Sequence, residues 1–82
     1  MPTVASIEGY EIRVLTRNEH RPRHVHVFKA DWEPRVRIGE LAEFWDIKYG
    51  APSNREVRRA IELVGQYLDA CNMKWEECNG HL

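Results

Sequence analysis

The stretch that decides the fold is His24-Val25-His26-Val27-Phe28-Lys29. Apolar and polar side chains alternate along it, which is the period of a β-strand. Val25 and Val27 fall on one face, and His24, His26 and Phe28 on the other. Two other stretches repeat the pattern, Tyr10-Glu11-Ile12-Arg13-Val14 and Arg35-Val36-Arg37-Ile38, the second closed by Gly39. Thr3–Ile7 reads as a further short extended segment, joined to the next strand by a turn at Glu8-Gly9. Ala30–Pro34 reads as a hairpin connection, because Asp and Pro favour turns. Residues 41–49 fit two patterns. Leu41, Phe44 and Trp45 suit a short amphipathic helical turn, and Phe44, Asp46 and Lys48 suit one face of an extra strand. A short helix or irregular element is the expectation there.

The strands need an apolar partner, and the C-terminal third supplies it. Ser53-Asn54-Arg55-Glu56 is a capping box, in which Ser53 caps the helix and Glu56 reaches back to the cap's own N–H. Val57, Ala60, Ile61, Val64, Leu68, Cys71, Trp75 and Cys78 follow at steps of three and four, one continuous helical face. Gly80 is a natural stop. One helix of roughly 25 residues would be about 37 Å long, so its last turns are expected to overhang the sheet and meet a partner chain. The fold expected is α+β: a small antiparallel β-sheet of three to five strands, covered on one face by a long C-terminal α-helix, in a single domain spanning residues 1–82. Ile12, Val14, Val25, Val27, Val36 and Ile38 form the floor beneath the helix. Alternation then sends Arg13, His24, His26, Phe28, Arg35 and Arg37 to the opposite face.

Composition narrows the class. A chain of 82 residues buries only about 60% of its unfolded surface. The net charge is −1, so total charge names no partner. Its distribution is uneven: residues 10–37 carry seven Arg and Lys, whereas residues 60–82 carry Lys74 alone against Glu62, Asp69, Glu76 and Glu77. That permits an anion-facing surface. Cys71 and Cys78 on one helix would stand about 10 Å apart, beyond the reach of a disulfide. Reduced thiols fit a cytoplasmic location. No secretory segment and no bilayer-spanning run is present.

The run His20-Arg21-Pro22-Arg23-His24-Val25-His26-Val27 holds three of the four histidines. Histidine titrates near neutral pH and is a common metal ligand, so three readings stand side by side. The first is a metal site, with His20, His24 and His26 as neutral imidazoles on zinc or another divalent ion. The second is an anion or nucleic-acid site formed by Arg17, Arg21, Arg23, His24, His26, Arg35 and Arg37. There Arg forks grip phosphate, Phe28 stacks a base, and His20, His24 and His26 are candidate acids and bases for metal-free RNA cleavage. The third is a solvated face of ordinary charge pairs to Glu11, Glu19 and Glu33. Arg55, Arg58 and Arg59 at the helix start allow a phosphate contact or simple pairing with Glu56 and Glu62. Trp75 is expected in the core. Trp32, in a turn, suits an interface anchor or an aromatic folded down onto the sheet.

Several features together resemble one family: the opening Met-Pro-Thr, the Gly-Tyr turn, the His-x-Pro-x-His-Val-His-Val run, Tyr49-Gly50, and Ser53-Asn54-Arg55-Glu56-Val57-Arg58-Arg59. The chain resembles the small prokaryotic domain of unknown function 4160 over nearly its whole length. The resemblance implies a small α+β domain in an intracellular bacterial or archaeal setting. It also implies a neighbouring gene for another small domain (domain of unknown function 2442), and hence a toxin–antitoxin-like pair. It carries no established activity. The family's run reads like His-Asn-Pro-Pro-His-Val-His, and Arg21 and Arg23 here make the turn more basic and less rigid. The expectation is therefore a binding or regulatory protein without a cofactor, whose His/Arg surface meets RNA, DNA or an acidic partner. A ribonuclease, a histidine-ligated metal protein and a pure protein-interaction module are the alternatives. A protein partner from the neighbouring gene is expected, with a homodimer as another assembly and no membrane contact.

Overall fold

A computed structural model describes residues 3–15 and 22–79 of the chain. Five strands run in chain order across one antiparallel sheet: β1 (Thr3–Ile7), β2 (Tyr10–Arg13), β3 (His24–Phe28), β4 (Glu33–Arg37) and β5 (Glu43–Tyr49). Each strand pairs with its sequence neighbour, so the sheet is a plain meander with β3 in the middle. Two tight turns set the register. Glu8 and Gly9 both have positive φ (54° and 83°) between the paired residues Ile7 and Tyr10, the requirement of a type I′ hairpin. Lys29 and Trp32 exchange backbone hydrogen bonds around Ala30-Asp31, where Ala30 has φ 51°. Positive φ at the first central residue marks the II′ class.

Residues 41–49 correct one expectation, because they supply the edge strand β5 and not a helical turn. It pairs with β4 through two register shifts, at Glu33/Pro34 and Arg35/Val36. Those shifts break strict alternation, which is why the sequence pattern fits two templates. Glu43, Asp46 and Tyr49 pair with Arg37, Arg35 and Glu33, while Phe44 and Ile47 pair with Val36 and Pro34.

The single long helix is also corrected. The chain forms α1 (Asn54–Gln66) and α2 (Leu68–Asn79), broken at Tyr67, whose φ of −112° and ψ of 26° leave the helical region. The Tyr67 N–H is shared between the Leu63 and Val64 carbonyls, and Tyr67's own carbonyl accepts from Cys71 N–H to start α2. The break lets α2 turn back onto the strand ends, where it is hydrogen-bonded. The capping box at Ser53 and Glu56 is fully formed.

After the break, α2 is tied to strand ends instead of overhanging them. Asn72 Nδ2 donates to the Gly39 carbonyl beyond β4, and Asn79 Nδ2 donates to the Leu15 carbonyl beyond β2. Arg23, just before β3, donates to Asn72 Oδ1 and Glu76 Oε1. Ile12, Val14, Val25, Val27 and Val36 are wholly buried with Ala60, Leu63, Val64, Cys71 and Trp75, and Ile38 nearly so. The expected floor is therefore the core. Trp32 belongs to it too, as the folded-down turn aromatic and not as an interface anchor. It folds down beside Tyr10 (ring centroids 5.6 Å apart) and donates from Nε1 to Glu56 Oε2 at 3.1 Å. Both cysteines are free thiols. No described helix is long and apolar enough to cross a membrane.

Gly50 closes β5 against the β3–β4 hairpin. Its φ is 82°, and an added Cβ would stand 2.4 Å from the Asp31 carbonyl oxygen and 2.7 Å from Trp32 Cα. Backbone cannot yield as a flexible side chain can. Gly50→Ala should cost at least about 2 kcal/mol through strain, roughly 10 °C in the thermal midpoint of so small a domain. An unchanged midpoint by circular dichroism would refute this account of the hairpin. Burial pushes the Cys71 thiol up to about 12. In the native protein at pH 8, iodoacetamide should therefore label Cys78 and spare Cys71, as read by peptide mass spectrometry.

Candidate functional site

The sheet face away from α1 has two histidines at its centre. His24 and His26 project from the middle strand as alternation requires, but they are not solvated: their residues are 2% and 1% exposed. Their ring centroids are 5.2 Å apart. Trp45 from β5 meets His24 edge-on at 4.7 Å, and Trp75 from α2 lies 5.3 Å away. Phe28 stacks near His26 at 6.3 Å. The pair thus sits among aromatic rings contributed by three elements.

Each imidazole is oriented by an acceptor at Nδ1. His24 Nδ1 lies 2.9 Å from the Pro22 carbonyl oxygen, which can only accept, so Nδ1 carries the proton. His26 Nδ1 lies 2.7 Å from Glu33 Oε2, a carboxylate 15% exposed. In both neutral rings the basic lone pair is then on Nε2. Fixing Nδ1 in this way is how proteins orient histidines for acid–base work or metal ligation. Access is a separate matter. With nearly all of both rings covered, neither offers surface to a macromolecular ligand in this conformation.

The arginines of this face are matched by acids. Arg13 Nη2 donates to both oxygens of Glu11 (2.8 and 2.6 Å), with the guanidinium 4.8 Å from the Phe28 ring centroid. Arg35 grips Asp46 with Nε (2.6 Å) and Nη2, over the Trp45 ring at 4.1 Å. Arg23, of opposite parity to His24, faces Glu76 and Asn72 of α2 instead. Arg37 is exposed, opposite Glu43 in the strand register. Among the described residues of the expected basic set, Arg13, Arg23 and Arg35 therefore each have an acid partner. His20, Arg17 and Arg21 lie outside the described residues. Among the described residues, no group of three or more His, Cys, Asp or Glu side chains is placed to hold a metal ion.

Sequence reasoning missed the partners more than the residues. Glu33 lies seven positions from His26 and diagonal to it across the hairpin, because His26 pairs with Arg35. A hairpin register would have exposed that link. Asp46, Trp45 and Glu76 gave no comparable local signal. Arg59 resolves to the plain reading of the helix start: it bonds Glu8 and Glu62.

These features define a class, a small α+β domain. A five-stranded antiparallel meander carries helix α1 on one face, ties α2 across its strand ends and buries a histidine pair on the other face. The chain belongs to the family described as Domain of unknown function (DUF4160), whose model matches residues 9–76. That span includes the histidine run and the helix start that carry the resemblance. No curated protein and no solved structure matches the chain.

Two outcomes test the site. Removing Glu33 strands a buried N–H, which costs about 1–3 kcal/mol. Glu33→Ala should lose that much stability in urea titration, whereas Glu33→Gln, which keeps an acceptor, should retain most of it. Equal losses would show that the hydrogen bond to His26 is not what Glu33 contributes. The second concerns acid. Hydrogen bonding from Arg35 holds the Asp46 carboxyl below its ordinary range. Stability from the pair is therefore present above the unfolded aspartate value, ~3.9, and is lost as pH falls through the lower folded value. Asp46→Asn should flatten the acid limb of the thermal midpoint between about pH 5 and pH 2. An acid limb as steep as that of the unsubstituted chain would contradict the assignment.

Proposed function

We propose that this chain is a small binding protein, one member of a toxin–antitoxin-like pair, and that it engages its partner protein along the β5 edge. The observation that carries this reading is the contrast between the two exposed parts of the sheet. On the histidine face the rings are buried and Arg13 and Arg35 already face carboxylates. At the β5 edge, Leu41 (68% exposed), Phe44 (46%), Ile47 (40%) and Tyr49 (63%) stand in solvent within nine residues. The opposite edge, β1, has no large exposed apolar side chain. An edge strand also leaves outward N–H and C=O groups without a ladder partner, a template for an added strand. Lys48 and the two register shifts limit indiscriminate pairing, which fits an edge reserved for a chosen partner.

The supposed partner is an extended segment that brings apolar side chains to Phe44, Ile47 and Tyr49. The neighbouring-gene arrangement implied by the family resemblance supplies the candidate protein. Direct contact of His24 and His26 with RNA, or RNA cleavage by them, would require the buried pair to be uncovered first, so this reading ranks below the edge.

The test is co-expression of the native chain with the product of the adjacent gene, followed by purification and light scattering. A stoichiometric complex is expected. Leu41→Asp with Tyr49→Lys, two positions whose side chains contribute little to the core, should weaken it at least tenfold while leaving the thermal midpoint of the free chain unchanged. Absence of a complex, or a complex indifferent to both substitutions, would overturn the proposal.

A further inference from the structure

The geometry points to a second binding site, for a phosphate-bearing ligand, in the groove between the β1–β2 turn, the end of β3 and the first turns of α1. The groove has a volume of about 480 Å³ and is lined almost wholly by charged side chains. Its charges are not evenly matched. The three carboxylates are all committed. Glu8 receives two hydrogen bonds from Arg59, and Glu62 receives a third. Glu56 completes the capping box with Ser53 and accepts from Trp32 Nε1. Arg59 is thereby neutralised twice.

Three cations in the same groove have no carboxylate partner among the described residues: Lys29, Arg55 and Arg58. Lys29 does not extend freely into solvent. Its ammonium rests 4.2 Å from the centre of the Tyr10 ring, and it lines the groove together with Glu8 of the turn and Glu56 of the helix. Arg55 and Arg58 are three residues apart, so they share one side of α1. Cations are also disfavoured at that end of a helix. An anion laid in the groove would relieve both the mutual repulsion and the unfavourable position.

The arrangement selects among anions. One ammonium and two guanidinium forks together offer more donors than a carboxylate has lone pairs to accept. A phosphate group, with three or more acceptor oxygens, suits two forks and a point charge at once. The site depends on side chains and not on the helix terminus, since Ser53 Oγ already accepts from the Glu56 N–H. Phosphate chemistry could come from a small phosphorylated molecule or from an RNA backbone, and the probes must separate them. None of the β5 residues takes part, so the partner proposal and this one fail independently.

The experiment is two titrations of the full chain at low salt. Inorganic phosphate is followed by amide and arginine side-chain NMR shifts, and a single-stranded RNA octamer of mixed sequence by fluorescence anisotropy. Saturable shifts centred on Lys29, Arg55 and Arg58 are expected with phosphate. RNA binding tighter than phosphate, and steeply salt-dependent, would assign the site to a nucleic-acid backbone. RNA no tighter than phosphate would assign it to a small phosphorylated ligand. Arg55→Ala with Arg58→Ala should weaken either probe at least tenfold, with the thermal midpoint unchanged because both side chains are exposed. Arg37→Ala, an exposed cation on the other sheet face, should leave binding unaltered. Saturation with neither probe, shifts spread over the surface, or equal losses from Arg37→Ala would overturn the inference.

Discussion

The middle strand β3 is buried on both of its faces, and the rest of the molecule is arranged around that constraint. On one side Val25 and Val27 meet the apolar face of the helices, where burial is favourable without further conditions. On the other side are two imidazoles, whose burial is tolerable only if their polar atoms find partners. Pro22 and Glu33 provide acceptors for the two Nδ1–H groups, and Trp45, Trp75 and Phe28 provide the ring contacts. Strands β4 and β5 and helix α2 are thus recruited to one histidine pair. A small domain with few core residues gains a defined second layer in this way, through polar contacts in place of a second hydrophobic core.

The same constraint moves the exposed chemistry elsewhere. With the centre of the sheet closed and Arg13 and Arg35 facing acids, two surfaces that stay open among the described residues are the β5 edge and the groove beside α1. They differ in character. The edge is apolar and carries unpaired backbone groups, suited to another protein chain. The groove is cationic and lined by side chains with too few acids, suited to a compact anion. The two surfaces share no residue.

The sequence exposed four of the strands and much of the core, but not the strand order, because alternation is a local signal. Ile12, Val14, Val25, Val27, Val36 and Ile38 follow from period two alone, and Ser53 and Glu56 from the spacing of a capping box. It misjudged residues 41–49 because two register shifts in β5 destroy the period on which the reading depends. It ran α1 and α2 together because the apolar spacing continues through Tyr67, and the break shows only in that residue's backbone angles and in the bonds α2 then makes to the strand ends. The sequence left Trp32 between surface anchor and buried turn aromatic because its partners, Tyr10 and Glu56, are 22 and 24 positions away.

The candidate site divides along the same line. By itself the sequence determined which residues share the histidine face, since the direction of a strand side chain is fixed by its parity. Only the tertiary structure decided whether that face is open. Burial of His24 and His26, the pairing of Arg35 with Asp46 and of Arg23 with Glu76, and the pinning of Lys29 over Tyr10 all depend on side chains from other elements. Parity is a property of one strand, whereas exposure and charge balance belong to everything packed around it.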